Sequence, residues 1–178
     1  MVVPVLAFWP EPRATLVRLQ RNYASDSSSG HRVRAVDGLV DRRDLSLGRA
    51  LELLARIRAE ADARSLALAV CVVDTSGQVI ASERMDGAAL GAMRLAVGKA
   101  YTAVLWGTRT GDFTESTQPG GADWGWNTTD DRIVVYPGGV PLFADGALVG
   151  GVGASGGAAH EDEACVTAAA VALGFAVA

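Results

Sequence analysis

The stretch from Ala89 to Trp106 constrains the fold more than any other part of the chain. Leu90, Met93, Val97, Tyr101 and Val104 recur at helical spacing, yet Ala92, Leu95, Ala96 and Ala103 make the opposite side apolar as well. A helix apolar on nearly all faces has to be covered on two sides, within its own domain or under a partner subunit. Lys99 lies among the small residues of the second face. It is the only lysine among 16 basic residues, all the others being arginine. A lone lysine in a chain that otherwise uses arginine is either a chance survivor on the surface or a compact, titratable ammonium that is needed there. Its place among small residues favours a paired or functional amine. Asp162 and Glu163 are its expected carboxylate partners.

The other elements follow from period and turn chemistry. Leu47, Ala50, Leu51, Leu54, Ile57 and Ala61 predict an amphipathic helix capped by Ser46 or Asp44. Leu66–Asp74 reads as a strand, and Asp74-Thr75-Ser76-Gly77 turns it into a hairpin with Gln78–Arg84. Residues 108–131 form a long polar, glycine-rich connection carrying Trp124 and Trp126, with one short helix expected near 112–116. A connection of that length is usually a lid, a binding loop or disordered. Three short strands are then expected at Arg132–Tyr136, Val140–Ala144 and Ala147–Ala154, followed by a final helix over Ala159–Leu173. The order describes an α+β domain with one antiparallel sheet covered by helices.

Residues 1–43 read as a flexible N-terminal extension, with a serine-rich linker at 25–30, and 44–178 as the folded domain. Met1–Trp9 has no basic residues ahead of it and is interrupted by Pro4, unlike a secretory signal. No apolar run approaches the ~20 residues of a membrane span. The expectation is a cytoplasmic protein without a membrane partner. The net charge of −4 concentrates its acids after residue 45, which argues against a nucleic-acid partner. Cys71 and Cys165 match no redox or metal spacing and are expected as reduced, buried thiols. With His31 and His160 as the only histidines, a metal site needing several imidazoles is excluded within one chain.

Two familiar patterns overlap in Gly151-Val152-Gly153-Ala154-Ser155-Gly156-Gly157. Gly151, Gly153 and Gly156 spell a dinucleotide fingerprint, but no second parallel strand follows the last helix to complete a βαβ unit. Gly153 to Gly157 also spells a hydrolase elbow, but the only later histidine, His160, comes before any separate triad acid. His160-Glu161 begins like a zinc-protease motif, and Ala164 stands where the second ligand would be.

Four segments together carry a resemblance. Glu83-Arg84-Met85-Asp86-Gly87-Ala88, Lys99-Ala100-Tyr101-Thr102-Ala103, Gly138-Gly139-Val140-Pro141, and Gly150–Gly157 followed by Asp162-Glu163 resemble the GlcG/HbpS family. That family includes haem-binding HbpS-like proteins and the C-terminal domain of PduO-type proteins. The resemblance runs in order over about residues 45–174. It implies a profilin-like α+β fold, a five-stranded antiparallel sheet covered by helices, and a homo-oligomer that binds a small molecule, haem or a related tetrapyrrole.

Haem wants an apolar slot, an axial donor and basic groups for its propionates. On this reading His160 is the axial metal ligand, with Tyr101 and then His31 as further donors. Arg84, Lys99, Arg109 and Arg132 would serve the carboxylates. The alternative is a small cofactor-independent enzyme, or an accessory protein, acting on an organic-acid or aromatic catabolic intermediate. Lys99 would then work with Glu83 or Asp86 as catalytic residues. A purely structural reading has Lys99 tying two helices together and the glycines serving close packing.

Overall fold

Ser46 opens the first helix by accepting the Arg49 N–H at 3.2 Å, one of the donors a helix start leaves unpaired. In this computed structural model, which describes residues 42–177, that helix (α1) spans Leu47–Ala63. It buries Ala50, Leu53, Leu54, Ile57 and Ala61, while Leu47 and Leu51 of the expected stripe are exposed. The stripe is therefore rotated toward Leu53. Most of the expected flexible extension, up to residue 41, lies outside the described residues. Its last two residues are within them: Arg42 donates to Ser76 and Arg43 to Asp145.

The strands β1 (Ala69–Val73), β2 (Val79–Arg84), β3 (Gly139–Ala144) and β4 (Ala147–Ser155) form one antiparallel sheet in the order β2-β1-β4-β3. The helix α2 (Ala92–Trp106) follows β2, and α3 (Ala159–Ala172) follows β4. β1 is buried along its whole length because both sheet faces are covered, which is why it reads as a continuous apolar run. Val70 and Val72 share a core with α1 and α3. Ala69, Cys71 and Val73 pack against Ala92, Ala96, Ala100 and Val104 of α2. The layers are thus α1 with α3, the sheet, and α2.

The glycines of β4 belong to this layering. Gly151 and Gly153 pair with Val73 and Cys71 and so face α2. A Cβ on Gly153 would collide with the Ala96 carbonyl and stand 2.5 Å from the Ala100 nitrogen. Only a strand without side chains there lets the helix backbone rest directly on the sheet. The fingerprint-like glycines are packing residues.

The sheet has four strands and not five. Arg132–Tyr136, expected as a strand from its Ile-Val-Val run, is irregular. Asp130 takes the Arg132 and Ile133 N–H groups, and threonines take three more backbone groups in place of a neighbouring strand. Val134 N–H donates to Thr102 Oγ1 at 2.9 Å, Thr114 Oγ1 donates to the Val135 carbonyl at 3.3 Å, and Thr110 Oγ1 to the Tyr136 carbonyl at 2.6 Å. The long connection before it carries two short 3-10 turns, Thr110–Phe113 and Trp126–Thr128. Trp126 packs between Trp106 and Phe113, with ring centroids at 5.2 and 4.9 Å. Among the described residues no helix is long and apolar enough to cross a membrane.

Candidate ligand-binding cleft

The segment 132–136 lies across the outer side of α2, and Gly98 is what admits it. A Cβ at Gly98 would stand 2.5 Å from Val134 Cγ2 and 2.8 Å from the Arg132 carbonyl. Between this segment, the N-terminal half of α2 and the β1–β2 turn at Gly77 opens a cleft of about 780 Å³, within the ~300–1,000 Å³ range of small-molecule sites. Met93, Leu95, Val97, Ile133, Val134 and Val135 make its walls largely apolar. Arg94, Tyr101, Asp131, Arg132 and Tyr136 add polar groups.

Tyr101 and Arg132 are the expected site residues that the structure brings together here. The Tyr101 hydroxyl donates to Asp130 Oδ2 at 3.0 Å, and the Arg132 guanidinium lies 4.1 Å over the Tyr101 ring. Asp130 also accepts from Arg132 Nε at 3.0 Å and Nη2 at 2.6 Å. These Arg132 hydrogen bonds hold the Asp130 carboxyl well below its ordinary range. Burial, reinforced by the bond to Asp130, raises the Tyr101 phenol above its ordinary value, so it stays protonated.

Lys99 is elsewhere. Its Nζ donates to Asp162 Oδ2 at 2.9 Å and to the Ala154 carbonyl at 2.8 Å, which ties α2 to α3 and to the end of β4. Of the two expected partners, Asp162 takes the ammonium, and its other oxygen accepts the Gly157 N–H at 2.9 Å. Glu163 instead faces Arg109 at 3.7 Å. Glu83 pairs across the sheet with Val70 and accepts from Arg58 of α1 at 3.1 Å. It therefore faces α1 from the edge strand β2, whereas the Lys99 ammonium lies at the end of β4 beside the start of α3. Asp86 is exposed in the turn after β2. Lys99, Glu83 and Asp86 do not converge.

Arg84 donates to the Ala88 carbonyl at 3.0 Å and does not line the cleft. His160 is exposed on the first turn of α3, in the layer across the sheet from α2, and is not a cleft residue either. His31 lies outside the described residues. Among the described residues no group of three or more His, Cys, Asp or Glu side chains is placed to hold a metal ion. Sequence reasoning missed Met93 and Tyr136 as cleft residues, and Arg94 as a second guanidinium. The one signal that could have found them is Gly98, a glycine inside a strong helix pattern, which marks close approach of another backbone.

A family model described as haem degrading protein HbpS-like matches residues 45–171. The chain belongs to this family. This HbpS-like protein is 32% identical over 119 residues to an uncharacterized 15.0 kDa protein from the dhaT-dhaS intergenic region of Citrobacter freundii, covering 66% of this chain and 84% of that one. It is 31% identical over 111 residues to the protein GlcG of Escherichia coli K12, covering 62% and 81%. Against the corrinoid adenosyltransferase PduO of Salmonella typhimurium it is 38% identical over 94 residues, 52% of this chain but 28% of PduO. Among solved structures it is similar to PduOC in complex with haem, with a TM-score of 0.72 and 31% identity over 75% of this chain and 97% of that one. A double mutant of HbpS from Streptomyces reticuli gives a TM-score of 0.72 and 28% identity over 82% and 99%.

Proposed function

We propose that this HbpS-like protein binds haem, or a related tetrapyrrole, in the cleft on α2, as a homo-oligomer. The observation that carries the reading is the cleft itself: apolar walls, about 780 Å³ of space, and two arginines, Arg94 and Arg132, in its lining. These residues fit the group. A porphyrin face needs apolar contact, and its propionates need cations. The haem complex of PduOC, a relative at 31% identity, supports the same ligand class.

Met93, Val97, Val134 and Val135 would hold the macrocycle; Arg94 would meet one carboxylate, and Arg132, whose Nε and Nη2 are held by Asp130, would offer only its Nη1 edge. Met93, Tyr101 and Tyr136 of the lining carry lone-pair atoms, the Tyr101 hydroxyl being engaged by Asp130. Bound haem would supply an iron centre whose redox and ligand chemistry its surroundings tune. Tyr101, kept protonated and bound to Asp130, acts as a hydrogen-bonded wall. For His160 to serve as the axial ligand, another subunit would have to present it. The exposed apolar side chains Leu95, Leu105 and Trp106 on α2 favour assembly with further copies.

Titration with haemin tests the reading. One haemin per chain and a sharpened absorption band, distinct from that of free haemin, are expected. Absence of uptake at micromolar protein would overturn it.

A further inference from the structure

We propose that Asp130 is a positioning residue that restrains the positive charge the cleft offers to its ligand; the inference rests on the haem-binding reading above. Asp130 does not line the cleft. It acts through two residues that do. Its Oδ1 accepts both the backbone N–H and the Nε of Arg132 at 3.0 Å, and its Oδ2 accepts Arg132 Nη2 at 2.6 Å and the Tyr101 hydroxyl at 3.0 Å. A bidentate clasp of this kind fixes the plane of a guanidinium as well as its charge. The Tyr101 ring, 4.1 Å beneath, holds the other side of that plane.

The consequence is one of balance. Arg94 and Arg132 are the cations at the cleft, and Asp131 is an anion in the same lining. With Asp130 clasped to Arg132, the four charges cancel. The Arg132 fork that a ligand carboxylate would take through Nε and Nη2 is already occupied by Asp130. The cleft therefore selects for a flat apolar body and draws little extra affinity from a second carboxylate on the ligand.

Haemin carries two carboxylates and its dimethyl ester none, so the ratio of their dissociation constants reads this charge directly. Asp130→Asn keeps the shape and removes the charge. It is expected to raise the preference for haemin over the diester about two- to fivefold, the range of a solvent-accessible ion pair, with diester affinity unchanged. In an Arg132→Gln background the same replacement should leave the ratio where it was. Parallel weakening of both porphyrins in Asp130→Asn would show that the residue only shapes the wall, and overturns the proposal. An equal rise in the ratio without Arg132 overturns it too. Failure of the wild-type protein to bind either porphyrin removes the haem reading, and this inference falls with it, whereas an unchanged ratio leaves haem binding standing.

Discussion

Replacing Lys99 with methionine is the perturbation whose cost follows most directly from the structure. The ammonium sits 2.9 Å from Asp162 Oδ2, with the two side chains 3% and 2% exposed. Methionine fills the space of the lysine stem and removes only the charge. Asp162 would keep the Gly157 N–H as partner, and the Ala154 carbonyl would lose its Lys99 donor. Breaking a buried pair by removing one partner costs roughly 3–5 kcal/mol, a large share of the ~5–15 kcal/mol that holds a domain folded. A domain of this size should lose about 10–20 °C in Tm. Taking away both charges, in Lys99→Met with Asp162→Leu, should recover a large part of that loss, since no buried carboxylate is then stranded. Urea and thermal melts followed by circular dichroism measure both variants. A single mutant that melts with the wild type would refute the burial argument. A double mutant no better than the single would refute the assignment of the cost to the unpaired carboxylate.

Three further outcomes are expected. Gly153→Ala drives a methyl group into the Ala96 carbonyl, and should destabilise by about 3 kcal/mol in the same melts. Burial pushes the Cys71 thiol up from 9.0 to about 12, so its proton is retained in the folded state where the unfolded chain would ionise. That contributes stability below pH 9, lost as pH rises through about 12, and thiol labelling of Cys71 at pH 9 should be far slower in the folded than in the unfolded protein. The raised Tyr101 phenol likewise contributes stability below its ordinary value of 10.0 that is lost as pH rises through its folded value. Spectrophotometric titration should show one tyrosine ionising later in the folded protein, and Asp130→Asn should bring it earlier.

Local chemistry was legible wherever it acted alone. The Asp74–Gly77 turn forms as expected, with Asp74 Oδ1 accepting the Ser76 and Gln78 N–H groups. The Asp145-Gly146 turn forms with positive φ at both residues, as the dipeptide predicts. The Lys99–Asp162 pair was legible from the rarity of lysine and the acidic start of α3. Tertiary partners decided the rest. The Ile133-Val134-Val135 run has strand character, but Thr102, Thr110 and Thr114 reach its backbone from elements distant in sequence. Leu51 and Leu53 are equally apolar, and only the placement of the sheet and α3 determines that Leu53 is buried. The cleft was the least legible feature, because Met93 and Arg94 look like ordinary helix residues until the 132–136 segment is laid across them.

Two variants locate the ligand in one titration. Met93→Glu places a charge in the apolar wall of the cleft, while His160→Ala alters an exposed residue on α3. Haemin binding should weaken at least about tenfold in Met93→Glu, the ~1.4 kcal/mol expected as a minimum for a carboxylate set against a porphyrin face. A wild-type near-ultraviolet spectrum would show the fold intact. Binding and band position should be unchanged in His160→Ala. The reverse pattern, with Met93→Glu taking up haemin like the wild type and His160→Ala losing it, would contradict the placement of the site on α2.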